Sequence, residues 1–205
     1  MGIKERRERE KQITRQSILT AARQIAQQEG WPALTVRKVA ESIEYSPPMI
    51  YEYFANKEEI LLELMREGFR QLTAAMQQAR DSVEDYEERL FRIVDAYWSF
   101  ANNNSDLYQI MNGLGGVPLD IQETARMGRD SGMGPLAALE DWAQYNAVVL
   151  EDAFGATEIL WSLIHGILSL TMVGRIEGGE PRARLLLHQA IQALLQTWKV
   201  NKKGP

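Results

Sequence analysis

The sequence predicts an all-α protein: an N-terminal three-helix helix-turn-helix domain, then a larger helical domain, about nine helices in total. Three observations carry the fold class. Apolar residues recur at three- and four-residue intervals along most of the chain. No run alternates apolar and polar residues as a half-buried strand would. Pro and Gly cluster between the periodic segments. A chain of 205 residues accommodates a small head, residues 1–58, and a body, residues 59–205.

After a charged arm, Ile18, Ala22, Ile25 and Ala26 form one apolar stripe, and Gly30 suits a left-handed stop. Thr35 is a good N-cap for a short second helix carrying Val36, Val39, Ala40 and Ile43. A third helix is expected from Pro47 to Phe54. A fourth opens at Asn56 with Glu59 as its capping-box partner, then runs through Ile60, Leu61, Leu64, Met65, Phe69 and Leu72. Helices are expected again at Tyr86–Asn103 and near Leu107–Asn112. The following stretch to Pro135 holds Gly113, Gly115, Gly116, Pro118, Gly128, Gly132 and Gly134, and is expected to be loop. Leu136–Tyr145, Asp152–Arg175 and Pro181–Lys199 complete the set, the last two separated by Glu177-Gly178-Gly179-Glu180.

Composition narrows the chemistry. With no cysteine, disulfides, thiolate metal sites and Cys nucleophiles are excluded. The opening MGIKERREREKQ has no apolar run, so no signal peptide is expected. The most apolar stretch, Ile159 to Val173, contains Ser162, His165, Ser169 and Thr171, and is judged too short and too polar to span a bilayer. A cytoplasmic location without a membrane partner is expected. The net charge of −5 is unevenly spread: residues 1–58 hold 10 Lys/Arg against 8 Asp/Glu, the remainder 13 against 20. A weakly basic head on an acidic body permits local phosphate contact, because fields decay within about 8 Å at physiological salt. The only histidines, His165 and His188, fall on different expected helices, and no Gly-lysine phosphate loop, His-x-x-x-His or Gly-x-Ser-x-Gly occurs. No catalytic residue, metal site or cofactor is assigned, and an enzyme is not expected.

Thr35 and Ser46, each a plausible N-cap, bracket a helix of two to three turns and a tight turn, the first half of a helix-turn-helix. Pro47 and Pro48 follow Ser46, where the missing N–H groups cost little and the backbone angle is pre-set. Tyr45 and Ile50 can close a hydrophobic staple. Ile50 and Phe54, four apart, would face Val39 and Ile43, leaving Pro47, Pro48, Met49, Tyr51 and Tyr53 to other faces. The same pattern also fits a helical hairpin inside a larger core.

The run Leu34-Thr35-Val36-Arg37-Lys38-Val39-Ala40, with Ser46-Pro47-Pro48-Met49-Ile50-Tyr51-Glu52-Tyr53-Phe54-Ala55-Asn56-Lys57-Glu58-Glu59-Ile60-Leu61, resembles the DNA-binding segment of TetR-family regulators. The likeness covers about residues 12–65; in the body, Trp161-Ser162-Leu163-Ile164-His165-Gly166 is similar to a signature of some members. The resemblance implies phosphate contacts from Thr35, Arg37, Ser46, Tyr51 and Lys57. It also implies base-edge contacts from Pro47, Pro48, Met49 and Tyr51, with Tyr53 beside them. With little Arg, Asn or Gln in the helix, packing on thymine methyls is expected. The family's usual turn carries Gly and a small aliphatic residue where Glu44 and Tyr45 stand here. A positive φ at Glu44 would be strained. Lys4, Arg6, Arg7, Arg9, Lys11 and Arg15 add phosphate or minor-groove contacts, or form a solvated helix end interleaved with Glu5, Glu8 and Glu10.

The resemblance further implies that the body binds a small hydrophobic effector of unknown identity and dimerises, and that the protein is a repressor released from a palindromic operator in double-stranded DNA. Ile159, Leu163, Ile167, Leu187, Ile191, Leu194 and Trp198 are the candidate dimer face, or else belong to the monomer core. Met65, Phe69, Leu72, Phe91, Tyr97, Trp98, Tyr108, Met111, Met127, Trp142, Trp161 and His165 are candidate pocket residues, with plain core packing as the alternative for each. A body that binds a protein partner rather than a small molecule is the other reading.

Overall fold

Local signals place the helix ends of the computed structural model, which describes residues 2–117 and 120–200; Pro118 lies outside the described residues. The described residues form nine α-helices and one 3-10 turn. Helix α1 spans Ile3–Glu29 and ends on Gly30, whose φ of 82° is open to glycine but costly for other residues. A 3-10 turn, Trp31–Ala33, leads to α2, Val36–Ser42, and then to α3, Pro47–Tyr51. Helix α4 covers Lys57–Asp81, α5 Tyr86–Asn103 and α6 Ser105–Met111. Helix α7 covers Ile121–Tyr145, α8 Ala153–Met172 and α9 Gly179–Val200. The chain divides into two units, residues 1–70 with 104–127, and residues 71–103 with 128–205.

In the first unit Ile18, Ala22, Trp31, Leu34, Val39, Ala40, Ile50, Phe54, Ile60, Leu64 and Met65 are all but fully buried. Helix α6 is tied to α1 by polar contacts rather than by apolar packing alone. The Arg23 guanidinium grips the buried Asp106 carboxylate through Nε (2.6 Å) and Nη2 (3.0 Å), and Trp31 Nε1 donates to the Asp106 carbonyl at 2.8 Å. Gly68, inside α4, would cost about 1 kcal/mol against Ala by propensity alone. Its absent Cβ makes room for Met111 Sδ and the Leu107 side chain, so α4 and α6 approach closely there.

In the second unit α5 packs on α8, and α8 on α9. Polar pairs lock α5 to α9: Asp95 accepts from Arg184 Nε at 3.0 Å and meets His188 Nε2 at 2.8 Å, and Trp98 Nε1 donates to Glu180 at 3.1 Å. Glu87 gathers Lys199 Nζ (2.5 Å), Gln192 (3.0 Å) and Trp142 Nε1 (3.3 Å). Burial alone would raise the Glu87 carboxyl; the hydrogen bonds and the Lys199 charge outweigh it and hold it below the ordinary value.

Four expectations are corrected. The stretch expected as loop up to Pro135 is helix from Ile121 onward, with Gly128, Gly132, Gly134 and Pro135 inside α7. An internal proline costs about 3 kcal/mol; α7 compensates by burying Met127 in the first unit and Ala138, Leu139 and Trp142 in the second. The α3 helix ends at Tyr51, short of Phe54, although Phe54 N still donates to Ile50 O at 3.0 Å. Helix α8 carries the apolar stretch to 20 residues, longer than expected, and meets the requirement for a membrane span by length and composition only, as a packing helix of a helical bundle also does. Its apolar surface is largely uncovered within the chain, with Phe154, Ile159, Trp161 and Leu170 exposed. Finally, Leu187 and Ile191, expected on a dimer face, lie in the chain's own core, at 0% and 1% exposure. The buried face of α9 is Ala183, Leu187, Ile191 and Leu195 along its length, and Leu194 and Trp198 flank it half-exposed.

Candidate nucleic-acid interface

The turn between α2 and α3 decides how α3 is presented. Tyr45 N donates to Ala40 O (2.9 Å) and Glu44 N to Glu41 O (3.3 Å), the paired bonds of a Schellman motif. That motif needs a left-handed residue, and Glu44 supplies it at φ 60°. The turn thus keeps a glycine-type geometry despite the side chain, and Glu44 bears the steric cost. Tyr45, next to it, is exposed.

Thr35 caps α2, its Oγ1 accepting from Lys38 N at 3.1 Å. Ser46 holds the extended N-cap backbone of α3 but makes no side-chain cap bond, contrary to expectation. The prolines explain this: Pro48 has no N–H to offer, and Met49 N already donates to Ser46 O at 3.0 Å. The Ser46 hydroxyl is consequently left at the surface. Asn56 and Glu59 form a shifted capping box, with Glu59 N donating to Asn56 Oδ1 (2.8 Å) and Ala55 N to Glu59 Oε2 (2.5 Å).

Helix α3 then sorts its faces. Ile50 and Phe54 are buried beside a buried Val39, with Ile43 half-buried. Thr35, Arg37, Ser46, Pro47, Pro48 and Tyr51 are exposed, and Met49, Tyr53 and Lys57 half-exposed. These nine residues lie on α2 and α3, at the N-caps of both, in the link after α3 and at the start of α4, all in the first unit. Arg37 pairs with Glu41 at 2.7 Å, and that hydrogen bond, then the Glu41 charge, pushes its guanidinium pKa up. A phosphate would have to compete with Glu41 for it. Within the basic arm, Arg6 pairs with Glu10. Arg15 points inward: Nη1 donates to Tyr53 O at 3.0 Å, Nη2 lies 3.4 Å from Glu63, and Cζ sits 4.1 Å over the Phe54 ring. Sequence patterning marked Arg15 only as one more cation, since its partners lie 38 and more residues away.

The pocket candidates divide between the units. Met65, Tyr108, Met111 and Met127 are buried in the first, with Phe69 half-buried. Leu72, Tyr97, Trp98 and Trp142 are buried in the second, Phe91 and His165 half-buried, and Trp161 exposed. Trp161 Nε1 donates to the Tyr97 hydroxyl at 3.2 Å and its ring stacks on His165, whose pKa burial lowers. An open groove of about 1020 Å³ on the second unit is lined by Val149, Leu150, Asp152, Ile159, Trp198 and Val200, among others, and by none of the pocket candidates.

Comparison with known proteins identifies the family. The family described as "Bacterial regulatory proteins, tetR family" matches residues 18–64, and "Tetracyclin repressor-like, C-terminal domain" matches residues 90–194, half of the chain. The chain therefore belongs to the TetR family of DNA-binding helix-turn-helix transcriptional regulators. The HTH-type transcriptional activator FasR of Mycolicibacterium smegmatis is 26% identical over 97 residues, 47% of this chain and 44% of that protein. The chain spans about half the length of the curated relatives it matches. A protein of unknown function from Rhodococcus sp. RHA1 superposes with a TM-score of 0.79 at 22% identity, covering 90% of this chain and 95% of that one. The TetR family regulator PfmR from Thermus thermophilus gives 0.66 at 21%, covering 87% and 97%. At such identities the two structures speak for the fold alone.

Proposed function

We propose that residues 1–58 read a palindromic operator and that residues 59–205 dimerise and bind a small hydrophobic effector, which releases this repressor from DNA. The observation that carries the DNA reading is the sorting of α3, with Ile50 and Phe54 inside and Pro47, Pro48 and Tyr51 outside. Pro47, Pro48, Met49 and Tyr51 meet base edges; Thr35, Arg37, Ser46, Tyr51 and Lys57 meet phosphates, with Tyr53 at the margin. A second copy is supported by α8, which leaves Ile159, Trp161 and Leu170 uncovered. Ile159, Leu163, Ile167, Leu194 and Trp198 form the proposed contact. The name of FasR, an activator, concerns that protein; the sign of regulation here is part of the proposal.

Selection of bound duplexes from a random pool tests this directly. Two half-sites in inverted orientation are expected, their centres one helical turn, about 34–36 Å, apart. An unpaired site, or no enrichment, would refute dimeric readout. Ile159→Arg places a charge on the exposed face and should yield a folded monomer by sedimentation; an unchanged dimer places the interface elsewhere. Screening hydrophobic compounds against the selected duplex should find one that lowers affinity. Release by a protein alone would favour the partner-binding body.

A further inference from the structure

We propose that Arg15 is a positioning residue for DNA readout: from α1 it fixes the C-terminal end of the recognition helix, and so the angle at which Pro47, Pro48 and Tyr51 meet the groove. This rests on DNA binding through α3. That helix has five residues, far below the length at which a helix is stable alone. Its attitude is therefore set by what grips its ends. The N-terminal end is held by the α2–α3 turn, through Tyr45 N on Ala40 O. At the other end Arg15 makes three contacts with one planar group: a hydrogen bond to Tyr53 O, stacking on Phe54, and an ion pair with Glu63 of α4. A cation at a helix C-terminus is also favoured by the backbone dipoles. Both side chains of the pair are largely shielded, at 30% and 20% exposure, so the contact is less screened than an open surface pair.

The lever is short but sufficient. From Tyr53 back to Pro47 is about 9 Å at a rise of 1.5 Å per residue. A tilt of about ten degrees at the C-terminal end then moves the Pro47–Pro48 tip by about 1.5 Å, more than the whole working range of a hydrogen bond or methyl contact. Arg15 thereby acts on sequence discrimination without touching a base or a phosphate.

Arg15→Lys separates this role from a phosphate contact. Lysine keeps the charge and can bind a phosphate as a point charge, but it has no planar fork to serve Tyr53 O, Phe54 and Glu63 together. Binding would be measured for a duplex selected by the wild-type protein and for a scrambled duplex, across a salt series, with folding followed by circular dichroism. The expected result is about a ten-fold loss on the selected duplex, a difference of about 1.4 kcal/mol. Scrambled-duplex affinity, salt slope and helicity should stay unchanged. Glu63→Gln, which loosens the anchor and leaves the Tyr53 bond in place, should show the same pattern more weakly. Full rescue by lysine, or a parallel loss on both duplexes, would overturn the proposal. Unchanged discrimination in both variants would do the same. A wild-type protein that prefers no duplex would remove the DNA-reading premise first.

Discussion

The Arg23–Asp106 pair offers the sharpest test of the packing between α1 and α6. Its two sides are unequal: the Asp106 side chain is 3% exposed and that of Arg23 24%. Removing one partner of a buried pair typically costs about 3–5 kcal/mol, because a charge is left desolvated and alone. Arg23→Ala strands the deeper charge, and the full range of about 3–5 kcal/mol is expected. Asp106→Ala strands a guanidinium that still reaches water and the Asn104 side chain at 3.1 Å, so about 2–3 kcal/mol is expected. The double variant should cost less than the sum by about 2 kcal/mol. At this chain length each kcal/mol shifts the melting temperature by about 2–4 °C. Urea titrations at one fixed protein concentration would read all four corners, since oligomerisation makes apparent stability concentration-dependent. The reasoning fails if Asp106→Ala costs more than Arg23→Ala, or if the cycle is additive within about 0.5 kcal/mol.

Three further outcomes are expected. Glu44→Gly relieves a left-handed non-glycine residue at φ 60° and should stabilise the fold by about 0.5–1 kcal/mol after the entropy cost of glycine; a lower urea midpoint would contradict the strain. Tyr51→Ala removes an exposed recognition-helix side chain and should weaken the selected duplex by about 1–3 kcal/mol while sedimentation still reports the wild-type oligomer. The Glu87 carboxyl is held below its ordinary value of 4.5. Its stabilising contribution is thus complete above that pH and is lost as pH falls through the lowered folded value. Glu87→Gln should flatten that part of the acid unfolding curve, and an unchanged curve would exclude the Lys199–Gln192–Trp142 cluster as its origin.

The recognition helix shows how far local pattern reaches. Thr35, Asn56 with Glu59, and Gly30 act within three or four residues of themselves, so each cap or stop was legible before any tertiary contact. The entry of Pro47 and Pro48 into α3 and the inward Ile50 and Phe54 followed from spacing in the same way. Even here one inference failed, because the Ser46 cap depends on an N–H that the neighbouring prolines lack or have already committed.

Where distant residues decide, the sequence was silent or misleading. The glycines and Pro135 of α7 signal a loop locally, yet burial of Met127, Leu139 and Trp142 holds the segment helical. The stripe of α9 announced an apolar face without saying which neighbour it meets, and Leu187 and Ile191 went to the chain's own core. Arg15 read as one more cation of the basic arm and Asp106 had no role assigned, until folding set Tyr53 and Arg23 against them. The sequence by itself determined the helical class, the helix-turn-helix and most helix ends, because periodicity and capping are short-range. Only the tertiary structure decided which charges are buried, which apolar faces stay open and what holds the recognition helix, because those depend on partners tens of residues away.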